Sequence, residues 1–457
     1  MENCIVNLSG KEIYDKENQE LCDFLMEHYY YQYFRKSCPH DKKLGRSIEL
    51  IISPKCNLGC KYCYVHRFRK KIFDDDCFNE ERTIENLKTF CEWLRVNEFN
   101  CDIEIFSGEL FGQEIGYKVL NILIDYYASV EPDMRCRTII IPTNFTFLCS
   151  EEATARVEEI RAKLKDLGIA LILSASFDGK YMEQNRPYIG DMDVPLGGLR
   201  DDEYYNRCFD YCKKTDTGFH PMVYSKGIEL WPKNFDWFQE KFKEFDLPWP
   251  GLYLLQVRNV EWTAKQIEDM RYFIEYLYKF AYEKFNGDRN QVTHWVIVDK
   301  GFNILSQPYS RTGRGLTCGI QSQMMFRVSD MKSYPCHRLG YKDFYFGEFV
   351  PDKDKVLRFK SQNVELQNMI LPIHKENLPY CAQCPINHLC TGTCLGSQYE
   401  STNNILAPIP SVCALTYAMV IANLQCMRKY GNMGLVYRYM NHSKLDQILA
   451  LERKISQ

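Results

Sequence analysis

Six short apolar runs, each separated from the next by a segment long enough to carry a helix, constrain the fold of this chain more than any other feature. They are Ile48 to Ile52, Ile103 to Phe106, Thr138 to Ile141, Ala170 to Ser176, Phe219 to Val223 and Leu252 to Val257. A crossover that holds a helix brings the chain back to pair in parallel, so the runs predict a parallel sheet with helices packed outside it. The expected class is α/β, a partial (β/α)6 TIM-like barrel. A long amphipathic helix, Thr263 to Phe285, stopped by Asn286-Gly287-Asp288, marks its end.

At 457 residues and 45% hydrophobic the chain is too long for one core and too apolar for disorder, so two or three modules are expected. Ahead of the barrel, residues 1 to about 45 hold a strand pair around Ser9-Gly10 and a Tyr-rich helical stretch, Leu21 to Phe34, which is a cap rather than a domain. Beyond it, Val292 to Ser411 is rich in Gly, Pro and Cys with little periodicity, as where metal rather than apolar burial holds a chain. Ala414 to Arg428 reads as a closing helix. The basic run His66-Arg67-Phe68-Arg69-Lys70-Lys71 reads as a solvated face.

The 57 Lys and Arg nearly cancel the 60 Asp and Glu, for a net charge of -3, so the field of a nucleic-acid binder is missing and no nucleic-acid partner is expected. Met1 to Gly10 has neither the basic nor the apolar stretch of a signal peptide, and no run approaches the roughly 18 apolar residues that span a bilayer. A cytoplasmic protein with no membrane partner is expected. In that reducing compartment 21 cysteines point to metal or redox chemistry, not disulfides. Eleven are scattered (Cys4, Cys22, Cys38, Cys77, Cys91, Cys101, Cys136, Cys149, Cys208, Cys212 and Cys426) and read as small buried hydrophobes. The other ten stand in groups.

The first group, Cys56-x3-Cys60-x2-Cys63, follows the first strand, where barrel enzymes place chemistry. A [4Fe-4S] cube takes four ligands, so three thiolates on one loop leave one iron open. The triplet alone fits a zinc loop or three packed thiols as well. Later strand ends narrow the choice: Ser107-Gly108-Glu109-Leu110 follows the second strand, Thr143-Asn144-Phe145 the third, and Ser176-Phe177-Asp178-Gly179 the fourth, with Arg186 beyond.

Taken in order, these residues resemble the radical S-adenosylmethionine (radical SAM) enzymes. Ser107 and Leu110 depart from that family's Gly-Gly-Glu-Pro, and Phe145 replaces the Gly of its Thr-Asn-Gly. The resemblance implies that Cys56, Cys60 and Cys63 hold the SAM-cleaving cluster and are catalytic. It also implies SAM contacts from Tyr62, Ser107, Gly108, Glu109, Asn144, Ser176, Asp178, Arg186 and Val257, with Arg186 a bidentate partner for a carboxylate.

The second group is Cys381-x2-Cys384-x5-Cys390-x3-Cys394, followed by Cys413 and preceded by Cys318 and Cys336. Paired CxxC groups commonly bind zinc. The spacing is also similar to the SPASM extension of radical SAM enzymes, although Met331 stands where that extension usually has Gly. What this implies is an outer [4Fe-4S] cluster on Cys381, Cys384, Cys390 and Cys413, and an inner one on Cys318, Cys336 and Cys394. Three [4Fe-4S] clusters and SAM are then the cofactors. The resemblance covers roughly Ser47 to Cys413, and the expected domains are an N-terminal cap that could serve as a peptide-binding element (1–45, outside the resemblance), a radical SAM partial barrel (46–290), a bridging segment (291–317), a Cys-rich SPASM domain (318–413) and a C-terminal helical segment (414–457).

Such enzymes make a 5'-deoxyadenosyl radical that takes a hydrogen from an unactivated carbon. SPASM members act mainly on peptides. Sulfatase maturases usually place Asp after the Cys that is Cys336 here, whereas this chain has His337, and Pro335-Cys336-His337-Arg338 resembles the peptide cross-linking maturases. Glu261-Trp262-Thr263 is also similar to those maturases. The function implied is installation of a cross-link in a ribosomally made precursor peptide with a leader, a thioether first and a carbon-carbon bond next. Three inner-cluster ligands, with Cys212 the nearest cysteine upstream, favour the thioether by leaving an iron open to a substrate thiolate. The alternative is a Ser/Cys oxidase of the anaerobic sulfatase-maturase type. A flavodoxin- or ferredoxin-type electron donor is the other partner. A zinc-stabilised interaction protein would explain the late cysteines but not the strand ends.

Overall fold

The computed structural model describes residues 47–67, 78–96, 100–190, 192–194, 200–247, 252, 254–297, 324–351, 357–370, 373, 378–390, 394–439 and 442–455. The expected N-terminal cap, residues 68–71 of the basic run, and Cys318 lie outside them.

Strands β1 (Ser47–Ile51), β2 (Asp102–Phe106), β3 (Thr138–Thr143) and β4 (Ala170–Ala175) pair in parallel, each with the next. Parallel bridges from Ala175 to Phe219 and from Phe219 to Leu252 continue the order, and β5 (Met222–Val223) pairs in parallel with β6 (Leu255–Gln256). The six apolar runs thus become six consecutive parallel strands, and the chain is α/β as expected. Burial alternates along β2 and β3, so Ile103, Ile105, Ile139 and Ile141 enter the core while residues between them face the other side.

Six helices supply the apolar cover: α1 (Glu80–Val96), α2 (Glu114–Ser129), α3 (Glu151–Asp166), α4 (Asp202–Thr215), α5 (Trp231–Glu244) and α6 (Ala264–Lys284). The starts of α3, α4 and α6 are set by side-chain caps. Ser150 accepts from the Ala153 N–H, Asp201 from the Tyr204 N–H, and Thr263 forms a capping box with Gln266. Each cap is worth about 1 kcal/mol. Thr263 and the buried Trp262, which donates to the Val257 carbonyl, therefore serve the start of α6. Cys208 and Cys212 are fully buried on α4, and Cys91, Cys101, Cys136 and Cys426 are buried too, as small hydrophobes should be. Cys212 is thus a core residue.

Past α6 come α7 (Arg289–Ile297) and β7 (Met324–Arg327), which pairs in parallel with β1 on the side away from β2. Antiparallel strands β8 (Lys332–Tyr334), β9 (Gly347–Pro351) and β10 (Leu357–Ser361) extend the sheet, giving the order β10-β9-β8-β7-β1-β2-β3-β4. Apolar burial therefore holds this stretch as well as any metal: Met325, Phe326, Tyr334 and Phe349 are core residues. Next are α8 (Val364–Ile370), α9 (Leu395–Thr402), α10 (Pro410–Tyr430), α11 (Met433–Tyr439) and α12 (His442–Ile455).

The closing helix corrects one expectation. By length and composition α10 is apolar enough to cross a membrane. It packs instead along α6: Leu415, Met419, Val420, Leu424 and Met427 are buried, and Tyr278 of α6 donates to the Asn423 side chain at 3.1 Å.

Candidate active site

The Cys56–Cys63 loop leaves the C-terminal end of β1 and is fastened on two sides. Toward β2, the Gly108 N–H donates to the Ser53 carbonyl and the Glu109 N–H to that of Lys55, each at 2.8 Å, while the Ser107 hydroxyl donates to Ser53 at 2.6 Å. The approach is so close that a Cβ on Gly108 would lie 1.9 Å from the Lys55 carbonyl oxygen, so only Gly fits. Toward β4, the Gly59 N–H donates to Pro187, Lys61 to Asn185 and, in return, Ile189 to Asn57. His66 bonds the Leu58 carbonyl at 2.7 Å and Arg67 donates to that of Asn259, so these two members of the basic run brace the loop as well as meeting solvent.

The other strand-end residues form a buried polar network behind this loop. Glu109 accepts from the Thr143 hydroxyl and the Asn144 N–H, both at 2.8 Å. Asn144 donates to Asn57 at 2.8 Å and points the same amide at the Cys56 sulfur, 3.9 Å away. Asp178 accepts from the Tyr62 hydroxyl at 2.5 Å and the Met222 N–H at 2.9 Å. Arg186 pairs with Asp178 at 3.6 Å and donates to the Ser176 carbonyl, and both side chains are almost wholly buried. Val257 closes the row at the end of β6, its N–H bonded to Val223. Phe177, between Ser176 and Asp178, sits among the rings of Tyr205, Phe209, Phe219, Trp237 and Phe238 at 5.3 to 6.2 Å, which anchors that turn. All three thiols and the residues of the strand-end motifs thus lie at one end of the sheet.

Two motif departures keep the glycine-like backbone. Phe145 has φ 64° and Met331 φ 56°, the left-handed region, which costs a non-Gly residue about 1–2 kcal/mol. Phe145 offsets this by complete burial against Phe147 and Tyr211. Met331 still forms the turn between β7 and β8, with its side chain in the core.

Burial pushes Glu109 up to about 7, against the bonds from Asn144 and Thr143. The folded chain then holds this proton more tightly than the unfolded one, so stability is full below about pH 4.5 and falls as pH rises through about 7. The span is on the order of 3 kcal/mol. Chemical denaturation of metal-free protein from about pH 5 to about pH 8 is expected to show this loss, and Glu109→Gln to flatten it. A slope indifferent to the substitution would exclude Glu109 as its source.

Burial also drives up the thiols of Cys56, Cys60 and Cys63, with Arg186 opposing it at Cys60. Bare thiols in this setting keep their protons, and a bound metal would displace them. Farther on, Cys413 feels Cys390, Cys381 and Cys384, and all four, with Cys394, line a mainly apolar cavity of about 410 Å³. At Cys394 burial raises the thiol pKa, but Arg338 and Ser397 outweigh that and draw it down. No disulfide links the described cysteines, and no three described ligand side chains converge as a single-ion site requires. Soft thiols spread around open space fit an iron–sulfur cluster.

No family model and no curated protein matches the sequence. A solved structure described as native anSMEcpe with bound AdoMet and Cp18Cys peptide superposes with a TM-score of 0.52 and 17% identity, covering 84% of this chain and 98% of the other. The two chains share a fold. Streptococcus suis SuiB bound to S-adenosylmethionine gives a TM-score of 0.43 at 13% identity, over 84% of this chain and 78% of SuiB. SuiB bound to its precursor peptide SuiA gives 0.44 at 14%, over 84% and 79%.

Residues that sequence reasoning missed complete the site. Glu49 of β1, only 1% exposed, accepts from the His337 N–H at 3.0 Å and lies 3.2 Å from its Nδ1. The His337 ring stacks on Phe106 at 4.0 Å. Burial works against charge on this imidazole but Glu49 prevails, so its pKa rises. His337, Phe106, Tyr64, Arg327 and Tyr334 line a pocket that reaches Ser107 and Gly108. Nothing local in the sequence links Glu49 to His337; the pairing of β7 with β1 brings them together.

Proposed function

We propose that this chain is a radical SAM enzyme that modifies a peptide. The observation that carries the reading is the Cys56–Cys63 loop, fixed at the strand ends between the Ser107–Glu109 turn and the Asn185–Ile189 segment. Reductive cleavage of SAM to a 5'-deoxyadenosyl radical is the chemistry that a cluster on this loop supplies when bound. The chain's own residues orient and enclose it: Asn144 and Arg186 stand beside the thiols Cys56 and Cys60, and Asp178 fixes Tyr62. Tyr62, Ser107, Gly108, Glu109, Asn144, Ser176, Asp178, Arg186 and Val257 would surround SAM. Cys381, Cys384, Cys390 and Cys413 would hold an outer cluster, and Cys336 and Cys394, with Cys318, an inner one. The solved chain that shares the fold holds AdoMet and a peptide, which supports a peptide substrate here.

The finer reading is a thioether made in a ribosomal precursor peptide with a leader, the carbon-carbon link being its nearest rival, with electrons from a flavodoxin- or ferredoxin-type donor in the cytoplasm. Closing a C–S bond between a carbon radical and a thiol releases one proton and one electron, and the oxidised inner cluster that Cys336 and Cys394, with Cys318, would hold is the group that would accept the electron. His337, held by Glu49 at the edge of the pocket, is placed to take the proton. The same dyad favours a second reading, oxidation of a Ser or Cys side chain, by supplying a base where the sulfatase-type pattern has Asp.

Reduced, cluster-loaded protein with SAM and a Cys-containing peptide tests both. A product that resists thiol alkylation and reduction is expected, whereas a hydrazide-reactive aldehyde would establish the oxidase. In either case His337→Ala should lower product by about 10²-fold or more while 5'-deoxyadenosine continues to form. Unchanged product would reduce His337 to a loop residue.

A further inference from the structure

Arg338 sits where three segments of the site meet. It lies in the turn His337–Leu339, and its Nε and one terminal nitrogen donate to the two carboxylate oxygens of Glu400 on α9 at 3.0 and 2.5 Å. The Glu400 side chain is wholly buried. The guanidinium also lies 5.1 Å over the ring of Tyr64, the residue after Cys63. Gly396 packs so tightly beneath that an added Cβ would be 2.6 Å from the Arg338 Cβ. This contact is two residues from both Cys336 and Cys394, so the charge pair touches the first cysteine loop and the supports of two later thiols at once.

Burying a carboxylate and a guanidinium costs more desolvation than burying apolar groups of the same size, so such a pair is a poor stability device. Its position suits an electrostatic one. We propose that the Arg338–Glu400 pair is a positioning device that seats the Cys56–Cys63 loop against Cys336 and Cys394 and sets the reduction potential of the cluster those two thiolates would share. The inference rests on the ligand assignment made above. One-electron reduction adds a negative charge with no accompanying bond change, and a fixed guanidinium in a low-dielectric site favours it. Glu400 moderates that effect, so the two residues act with opposite signs.

The test uses protein in which Cys56, Cys60 and Cys63 are Ala, so that only C-terminal iron contributes, with reductive titration by dithionite followed by electron paramagnetic resonance. Arg338→Gln is expected to move one midpoint to more negative potential by at least a tenfold change in equilibrium, about 59 mV for one electron. Glu400→Gln should move the same midpoint the other way, and the transition of the outer four-cysteine cluster should stay in place. Arg338→Lys, which keeps the charge but not the fork, should stay near the parent, and the opposite shift in Glu400→Gln carries the test if Arg338→Gln does not fold. Shifts of the same sign in both Gln variants, or none with iron retained, would overturn the inference. A parent with no C-terminal iron would instead overturn the ligand assignment, and this proposal with it.

Discussion

Replacing Cys56, Cys60 and Cys63 together by Ala is expected to bring 5'-deoxyadenosine formation down to the protein-free background while iron remains on the C-terminal module. The two outcomes separate because the cysteine groups are held by different parts of the chain. The triplet depends on backbone bonds to Ser107–Glu109 and Asn185–Ile189, whereas Cys381, Cys384, Cys390 and Cys413 surround their own cavity beside α10. The loop keeps those bonds in the variant, since none uses a cysteine side chain. SAM cleavage at the wild-type level in this variant would remove the triplet from the chemistry.

Arg186→Ala is expected to lower folding stability by about 3–5 kcal/mol, because it strips the cation from a buried pair and leaves the Asp178 carboxyl enclosed without it. The resemblance casts Arg186 as a partner for the SAM carboxylate, a role worth roughly 1.5–3 kcal/mol of binding. In the structure it is 5% exposed and engaged with Asp178, Ser176 and Cys60. A loss of SAM affinity should therefore come together with lost stability, and Arg186→Lys should recover part of each. Chemical denaturation alongside SAM titration distinguishes the cases: unchanged stability with weakened binding would mean that the guanidinium faces SAM directly.

The local parts of this design were legible in the sequence. Six apolar runs predicted six parallel strands in order, because a strand's composition and its helical crossover are short-range properties. The start of α6 near Thr263 and its Asn286-Gly287 stop were visible for the same reason, and both stop residues have positive φ. What escaped was non-local. Nothing near Glu49 signals that β7, almost three hundred residues later, pairs with β1 and delivers His337 to it. The charge pair of Arg338 with Glu400 and the Asp178–Arg186 pair depend equally on tertiary packing.

Side-chain identity also misled where the backbone carried the motif. Phe145 and Met331 replace expected glycines yet adopt the left-handed conformation, since burial of a large side chain outweighs about 1–2 kcal/mol of strain. The closing helix shows the converse. Its composition satisfies a membrane criterion, and only its contacts with α6 reveal a core helix.

The central claim, an open iron and a SAM site in one place at Cys56–Cys63, is tested most directly by the effect of SAM on the electron paramagnetic resonance spectrum of anaerobically purified, dithionite-reduced protein. A spectrum that changes when SAM is added, with the change absent from the Cys56/Cys60/Cys63 triple-Ala variant, is the predicted result. Zinc in place of iron, or an iron signal indifferent to SAM, would contradict it.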